Sequence, residues 1–310
     1  MNVLKRRGWE LPESMVTPEP IALNRRALIG GALAFSTAAA LPARAANTPV
    51  NTKYKPGRAI TPEKDVETYN NYYEFSEDKD LWRAAQKMTV SPWSIKIEGL
   101  VKTPRTIAYE DLLKQVQLEE RIYRHRCVEA WSIVVPWIGF PMRRLLEIAE
   151  PLGSAKYLAF TTVEEPRVMP GLDSPLYPWP YVEAVTVQEA ANDVAFVSVG
   201  MYGKIGPDMP KQDGAPIRMT IPWKYGFKSG KAFVKASFVE QRPKTTWAEI
   251  NPDEYGFWAN VNPAVPHPRW SQATERVIGT NERIPTQIYN GYGEFVASLY
   301  LGMKGENLFR

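Results

Sequence analysis

The residues most capable of chemistry in this chain surround Cys127, the only cysteine among 310 residues. The thiol lies in the run Arg124-His125-Arg126-Cys127-Val128-Glu129, beside two guanidinium groups, an imidazole and a carboxylate. A thiolate in such surroundings could act as a nucleophile or as a soft metal ligand. The ordinary alternative is that a lone cysteine serves only as a small buried apolar residue.

Neither a cysteine peptidase nor a zinc site is favoured. A nucleophilic cysteine needs a histidine within hydrogen-bond reach, and the chain has only His125, two residues away along the same stretch, and His267, which is enclosed by prolines. Structural zinc needs four Cys or His ligands at close spacings, which do not occur here. If Cys127 binds a metal, an organic cofactor such as a dithiolene must supply most of the other ligands.

Arg124 and Arg126 are expected to affect the protonation of the Cys127 thiol. Because they flank Cys127, we expect them to lower its pKa and favour the thiolate that a metal ligand requires. The alternative for at least one of them is an exposed or salt-bridged charge.

The first 45 residues are typical of an export signal. Arg25 and Arg26 precede an apolar run at 27–41, and Ala43-Arg44-Ala45 follows it as a small-x-small cleavage site. We therefore predict a cleaved twin-arginine signal peptide over 1–45 and a periplasmic mature protein. An ordinary signal or an uncleaved anchor is the alternative. The twin-arginine route carries folded proteins, often with an inserted cofactor, and so is indirect evidence for a cofactor.

The net charge gives no indication of a nucleic-acid partner. The leader holds six Lys/Arg and three Asp/Glu, which leaves 32 basic and 31 acidic residues in the rest of the chain. No basic run with interleaved aromatic residues is present, so we expect no nucleic-acid binding.

The rest of the chain predicts an α+β protein with mixed β-sheets, short helices and long ordered loops. We expect an N-terminal arm over 46–64 that is loosely wrapped, and one domain over 65–310. Period-two alternation and turn residues predict strands, and acids in a first turn or a closing proline predict helices. The predicted strands are 93–99, 121–128, 156–163, 195–202, 217–222 and 232–239, the predicted helices are 109–114, 142–150, 272–278 and 294–301, and 251–270 is predicted to be irregular.

Two consecutive runs give the chain a family resemblance. Arg126-Cys127-Val128-Glu129-Ala130-Trp131-Ser132, followed by Val135-Pro136-Trp137-Ile138-Gly139-Phe140-Pro141, resembles the molybdenum-ligand segment of the sulfite oxidase fold family. Further matching runs lie at 69–75, 222–228, 253–257 and 268–276. Together they cover nearly everything after the leader and resemble, more narrowly, the catalytic subunits of periplasmic protein-methionine-sulfoxide reductases (the MsrP family).

The resemblance implies a sulfite-oxidase-type molybdopterin-binding fold with one molybdenum–molybdopterin per chain. Cys127 would be the metal ligand. The cofactor contacts carried over by position are Asn70, Tyr73, Glu74, Thr162, Asp213, Arg218, Ser229, Gly230 and Lys231. These residue types suit the ligand, because the pterin edge needs hydrogen-bonding groups and the phosphate needs cations and backbone N–H groups. Asp213 stands where relatives are expected to have an amide, so its contact could be made by backbone or be altered.

The resemblance also implies the reaction and the partner. A sulfoxide oxygen would pass to the reduced metal, leaving a thioether, and two electrons and two protons would release it as water. We take Glu129 as a catalytic acid that tunes the site or relays protons, and Asn71 as a residue that shapes the pocket; an ion pair with Arg124 or Arg126 is the alternative for Glu129. The electron donor would be a haem-containing, quinone-linked membrane subunit (MsrQ), the substrates would be oxidised periplasmic proteins, and the catalytic subunit would be monomeric.

Two other functions are weighed against methionine sulfoxide reduction. A sulfite dehydrogenase of the same fold would need a strongly cationic pocket for its dianionic substrate. A non-enzymatic periplasmic binding module would share the fold and bind no molybdenum.

Overall fold

Two β-sheets organise the chain in the computed structural model, which describes residues 48–310. In chain order the strands are β1 (Val50–Asn51), β2 (Ser94–Gly99), β3 (Arg105–Ala108), β4 (Glu119–Arg126), β5 (Trp131–Pro141), β6 (Tyr157–Thr162), β7 (Val182–Thr186), β8 (Phe196–Met201), β9 (Lys204–Ile205), β10 (Arg218–Thr220), β11 (Phe233–Val239), β12 (Thr274–Val277) and β13 (Arg283–Pro285). The larger sheet runs β1-β4-β5-β12-β13, with β8 also paired to β5, β9 and β10. The smaller sheet runs β3-β2-β11-β6-β7. Both sheets mix parallel and antiparallel pairs.

The helices are short and connect the strands. They are α1 (Glu63–Glu67), α2 (Trp82–Ala85), α3 (Tyr109–Lys114), α4 (Arg143–Ala149), α5 (Val187–Ala191), α6 (Thr246–Ile250) and α7 (Gly293–Val296). A capping box starts α5, where the Thr186 side chain accepts from the Glu189 N–H and the Glu189 carboxylate accepts from Thr186. Within the described range no helix is long and apolar enough to cross a bilayer.

Strand β5 is the centre of the larger sheet, and the sequence reading missed it. All eleven of its residues are buried, with β4, β8 and β12 as neighbours. A strand buried on both faces has a continuous apolar sequence instead of period-two alternation, and Pro136 and Gly139 interrupt this one. The register shifts at Gly139, where an added Cβ would lie 2.0 Å from the Val197 carbonyl oxygen.

Most predicted elements are confirmed to within about two residues. The strands at 93–99, 121–128, 156–163, 195–202, 217–222 and 232–239 and the helices at 109–114 and 142–150 are present, and 294–301 forms α7 followed by a 3₁₀ turn. Strand β7 and helix α5 were not predicted.

The predicted helix at 272–278 is wrong, because this segment is strand β12. It pairs in parallel with β5, with Arg276 beside Trp131, and antiparallel with β13. Local sequence favoured a helix, but the free edge of β5 supplies backbone partners that override so weak a preference.

The N-terminal arm joins the larger sheet. The predicted leader lies outside the described residues, as do the first two residues of the arm. From Val50 the chain adds β1 in parallel to β4, and Thr61 exchanges two hydrogen bonds of 3.0 Å with the backbone of Val134 in β5. The arm is therefore attached to the larger sheet at these two places, while most of its other residues are exposed or half-buried.

A buried ion pair joins the end of β4 to β12. Arg126 and Glu275 are 0% and 4% exposed in their side chains, and Arg126 Nε lies 2.8 Å from Glu275 Oε2. Arg126 also donates to Gln272 Oε1 at 2.7 Å and to the Cys127 carbonyl. The pair therefore fixes the backbone just after β4.

We expect Arg126→Met to lower the free energy of unfolding by about 3–5 kcal/mol, because it leaves the Glu275 carboxylate buried without its main cation. Denaturant unfolding followed by circular dichroism measures this. The matched control is Arg83→Met, since Arg83 is 70% exposed in its pair with Asp80 and should matter by less than about 0.5 kcal/mol. Equal effects of the two changes would contradict the assigned role of the buried pair.

Candidate active site

A cavity of about 460 Å³ lies where the β4–β5 turn, the end of β6 and the β10–β11 connection meet the segment at 69–77. Every site residue predicted from the sequence lines it. These are Asn70, Tyr73, Glu74, Cys127, Glu129, Thr162, Asp213, Arg218, Ser229, Gly230 and Lys231. The fold therefore brings together residues that are spread over about 160 positions.

A tight turn between β4 and β5 presents the Cys127 sulfur. The Cys127 N–H donates to the Trp131 carbonyl at 2.9 Å, and the Ala130 N–H donates to the Cys127 carbonyl at 3.1 Å. Ala130 has a φ of 62°, in the left-handed region, which lets the chain reverse within four residues. The sulfur lies 3.5 Å from both Asn71 Nδ2 and the Glu129 backbone nitrogen.

The flanking arginines do not activate this thiol. Burial, together with the Glu129 charge, raises the pKa of Cys127 to about 12. Arg126 is committed to Glu275, and Arg124 donates to Gln287 at 2.7 Å. The expectation of a lowered pKa is therefore wrong for the protein without a metal. A metal cation at the sulfur would deprotonate the thiol outright.

The two histidines do not form a nucleophile–base pair with the cysteine. Among the described residues the hydrogen-bond partners of the sulfur are Asn71 and the Glu129 backbone, not an imidazole. His125 lines the cavity, and burial, reinforced by Arg218 and Lys231, lowers its pKa to about 3. His267 stacks on Trp270 with a ring separation of 3.7 Å.

Nor do protein side chains alone form a metal centre: no cluster of three or more His, Cys, Asp or Glu side chains suited to a metal occurs between residues 48 and 310.

Glu129 forms an ion pair, but its partner is Lys79 and not Arg124 or Arg126. Lys79 Nζ lies 2.9 Å from Oε1 and 2.8 Å from Oε2, and Trp131 Nε1 donates to Oε2 at 2.9 Å. Burial acts to raise the pKa of Glu129, but the Lys79 and Trp131 contacts and the Asn71 amide outweigh it and lower the pKa. The carboxylate is therefore a fixed negative charge beside the sulfur, and its role as a proton relay stays a prediction.

The cationic side chains of Arg218 and Lys231 form another part of the cavity wall. Arg218 donates to the backbone carbonyls of Asp213 and Ser229 at 2.7 and 3.0 Å, and Lys231 donates to those of Asn71 and Gln212 at 2.8 and 2.5 Å. Neither forms a carboxylate salt bridge with any residue in the described part of the chain. Burial lowers the pKa of both groups, which indicates that an anionic ligand would stabilise them.

Hydrogen-bonded polar side chains complete this wall. Asn70 Nδ2 donates to Asp213 Oδ1 at 2.7 Å, and Thr162 Oγ1 donates to Glu74 Oε1 at 3.2 Å. Burial raises the pKa of Asp213, and it raises that of Glu74 to about 7. Asn70 Oδ1 and Asp213 Oδ2 are buried without a hydrogen-bond partner among the described residues.

Local residue types determine the backbone conformation around Gly214 and Ser229. Gly214 has a φ of 102°, and an added Cβ would lie 3.0 Å from Lys231 Cβ, so glycine is required there. Ser229 and Gly230 follow the 3₁₀ turn Gly226–Lys228, and the Ser229 hydroxyl accepts the Ile221 N–H at 3.0 Å. The Ser229 side chain therefore also stabilises the backbone just after β10.

Several cavity residues were missed by the sequence reading. Tyr177, Trp247 and Tyr255 were not predicted, and with the predicted Tyr73 they form an aromatic wall with ring separations of 4.9 to 5.6 Å between neighbours. Lys79 was missed too, although it contacts both Asn71 and Glu129. Nothing in the spacing of these four residues marks them, because Trp247 belongs to α6 and the others come from separate connecting segments.

Comparison with known proteins decides the family. The model of the oxidoreductase molybdopterin binding domain matches residues 83–247. The protein-methionine-sulfoxide reductase catalytic subunit MsrP of Burkholderia mallei is 43% identical over 322 residues, which cover 97% of this chain and 96% of that one. The MsrP of Pseudomonas syringae pv. tomato is 47% identical over 94% of this chain and 95% of its own. The chain belongs to the MsrP family.

The chain is also similar to another MsrP and to one solved structure. The Ralstonia nicotianae MsrP is 44% identical over 98% of this chain and 97% of its own length. The sulfane dehydrogenase SoxCD of Paracoccus pantotrophus aligns with a TM-score of 0.43 at 13% identity, over 73% of this chain and 60% of that one. The mixed sheets, short helices and long loops are those of the sulfite-oxidase-type molybdopterin-binding fold, to which the MsrP family belongs.

The residues of the cavity fit the cofactor of the MsrP family. The Arg218 and Lys231 cations, which have only backbone carbonyls as acceptors, suit an anionic phosphate or dithiolene. The unpartnered oxygens of Asn70 and Asp213 can accept hydrogen bonds from a pterin edge. The Cys127 sulfur is a soft ligand type that suits the metal of such a cofactor.

The stability of the cofactor-free protein should depend on pH, because the pKa of Glu74 is raised. The folded-state pKa of about 7 exceeds the ordinary value of 4.5, so the folded state binds the proton more tightly and loses stability as pH rises from about 4.5 through 7. We expect Glu74→Gln to raise the free energy of unfolding by about 1–3 kcal/mol at pH 8 and to have little effect at pH 4.5.

Urea unfolding of protein produced without molybdopterin, at both pH values, measures this difference. Glu110→Gln, an exposed change in α3, is the control. A Glu74→Gln effect that is the same at pH 4.5 and pH 8 would show that Glu74 ionises normally.

Proposed function

We propose that this protein reduces methionine sulfoxide residues in oxidised proteins, with a molybdenum held by one molybdopterin and by Cys127. The observation that carries the proposal is the convergence of Cys127, the Arg218 and Lys231 cations and the polar wall on one cavity in a member of the MsrP family. The overall change is the reduction of a sulfoxide, with two electrons and two protons, to a thioether and water.

When bound, the cofactor supplies a metal that changes oxidation state by two electrons and accepts one oxygen atom. The chain's own residues bind and orient it. Cys127 provides the protein ligand, Arg218 and Lys231 neutralise its anionic groups, and Asn70 and Thr162 contribute hydrogen bonds at the wall. Asn71 and Glu129, both in contact with the sulfur, determine the polarity next to the metal.

The aromatic wall suits the substrate class. The side chain of methionine sulfoxide has a methyl and two methylene groups beside one polar S=O group. Aromatic rings contact a thioether sulfur favourably, by about 0.3–1.5 kcal/mol per contact, which suits the reaction product, and their apolar surface suits the methyl and methylene groups of the substrate. Tyr73, Trp247 and Tyr255 line the same cavity as Cys127 and would hold these groups.

The charges near Cys127 do not favour the alternative substrate, sulfite. A dianion needs free cations at the metal, but Lys79 is paired with Glu129 and Arg269 is paired with Glu254 at 2.8 Å. Arg218 and Lys231 are at the part of the wall assigned to the cofactor. The site is therefore better suited to a neutral sulfoxide.

The location and the partners form part of the proposal. The predicted leader at 1–45 supports export of the folded protein by the twin-arginine route to the periplasm, where its substrates would be oxidised periplasmic proteins. Membership of a family of catalytic subunits implies a partner subunit. We propose that this partner is a haem-containing, quinone-linked membrane subunit (MsrQ) and that the catalytic subunit is otherwise monomeric.

Metal analysis and a two-substrate assay test the function. We expect about one molybdenum per chain in the exported protein and reduction of methionine sulfoxide with an artificial electron donor, because Cys127 completes the coordination. Cys127→Ser should lose at least about 99% of the turnover, since a hydroxyl is a poor ligand for this metal.

Sulfite oxidation faster than sulfoxide reduction would replace the proposed reaction with sulfite dehydrogenation. An active preparation without molybdenum would reject the metal-dependent mechanism.

Glu129→Gln tests the fixed negative charge beside the sulfur. The change keeps the shape but removes the charge that Lys79 and Trp131 stabilise, so we expect turnover of methionine sulfoxide to fall by about tenfold or more, with an altered pH profile. Steady-state kinetics between pH 5 and 9 measures both. An unchanged rate and pH profile would assign Glu129 a structural role only.

A further inference from the structure

Lys79 reaches the site from outside the cavity and contacts two residues beside Cys127. Its ammonium donates to Asn71 Oδ1 and lies 2.9 Å from Glu129 Oε1, while its side chain is 25% exposed. The backbone holds it there, since the Asn70 N–H donates to the Lys79 carbonyl at 3.1 Å and closes the loop 70–79. Lys79 does not line the cavity, so it can act on the metal centre only through these neighbours or through its charge.

We propose that Lys79 is a positioning residue that fixes the orientation of the Asn71 amide, so that its NH₂ group faces the Cys127 sulfur. This inference rests on the proposed function in so far as a molybdenum is bound at Cys127.

The hydrogen-bonding chemistry allows only one orientation of this amide. An ammonium only donates, whereas a thiolate and a carboxylate only accept. Asn71 has Lys79 at Oδ1, and it has the Cys127 sulfur and Glu129 Oε2 at 3.5 and 3.4 Å from Nδ2. A flipped amide would oppose NH₂ to an ammonium and oxygen to two anions. Lys79 therefore disfavours the flipped orientation of the Asn71 amide.

The orientation matters because of what the amide N–H does at the ligand. A hydrogen bond to a metal-bound sulfur withdraws electron density from it and tunes the reduction potential of the metal. With the carbonyl oxygen facing the sulfur, this interaction would become repulsive. Lys79 is thus expected to affect the metal centre chiefly through Asn71, in addition to any direct effect of its charge.

A double-mutant cycle in the molybdenum-loaded enzyme separates these routes. The variants are Lys79→Met, Asn71→Ala and the double mutant. The readouts are the midpoint potential of the metal, the electron paramagnetic resonance spectrum of its one-electron-reduced state, and kcat for methionine sulfoxide. We expect each single change to shift the potential and alter the spectrum, and to lower kcat by about tenfold. The double mutant should be no worse than Asn71→Ala alone, because the amide is the route of the effect.

Two further variants keep the test decisive. Lys79→Arg retains a cationic donor and should recover most of the wild-type potential and spectrum, also if Lys79→Met folds poorly. Lys102→Met removes an exposed lysine paired with Glu150 and should change nothing. If Lys79→Met shifts the potential as much in the Asn71→Ala background as in the wild type, Lys79 acts through its charge or through Glu129, and the positioning role is wrong. An unchanged potential and spectrum in Lys79→Met would also overturn it.

Failure of the proposed function would be visible separately. A wild-type enzyme that binds molybdenum but does not reduce methionine sulfoxide would refute the assigned substrate. The potential and the spectrum would still test Lys79, because neither depends on the substrate.

Discussion

The turn that presents Cys127 depends on one buried ion pair. Arg126 is the last residue of β4, and its guanidinium binds Glu275 in β12 while donating to the Cys127 carbonyl. Glu275 in turn accepts from the Ser132 hydroxyl at 2.8 Å, at the start of β5. One carboxylate thus links three neighbouring strands at the point where the thiol emerges. Because a buried charge is unfavourable without its partner, the pair constrains the strands to one arrangement.

In the cavity, by contrast, the cations of Arg218 and Lys231 form no direct salt bridge with a carboxylate of the described residues, although the charge of Asp213 acts on both. Arg218 and Lys231 have backbone carbonyls as acceptors, and the nearby carboxyls of Asp213 and Glu74 have raised pKa values. Such a wall is costly in the absence of ligand and favourable once an anionic cofactor occupies it. Cofactor binding and stability are therefore expected to be strongly linked in this protein.

Around the sulfur the polar groups are instead paired and held in place. Asn71, Glu129, Lys79 and Trp131 form one hydrogen-bonded network in which every donor faces an acceptor. Among residues 48–310 this arrangement leaves no unpaired cation next to the sulfur for an anionic substrate. Beside it the aromatic wall offers apolar surface, so the cavity combines a cationic part with a neutral, aromatic part.

The sequence by itself determined the local elements and the chemical identity of the site. Alternation predicted strands such as β2 and β4, and the family resemblance predicted Cys127 as a metal ligand together with the cofactor contacts. Only the tertiary structure decided what each charge does. Arg124 and Arg126 lie next to Cys127 in sequence, yet their guanidinium groups bind Gln287 and Glu275 instead of activating the thiol.

Residues far apart in sequence can be partners in space. Lys79 lies 50 residues before Glu129 and forms an ion pair with it. The helix predicted at 272–278 became β12 for the same reason, because the free edge of β5 is a partner that no local pattern reveals. Local propensity depends on neighbours along the chain, whereas pKa values, ion pairs and sheet edges depend on neighbours in space.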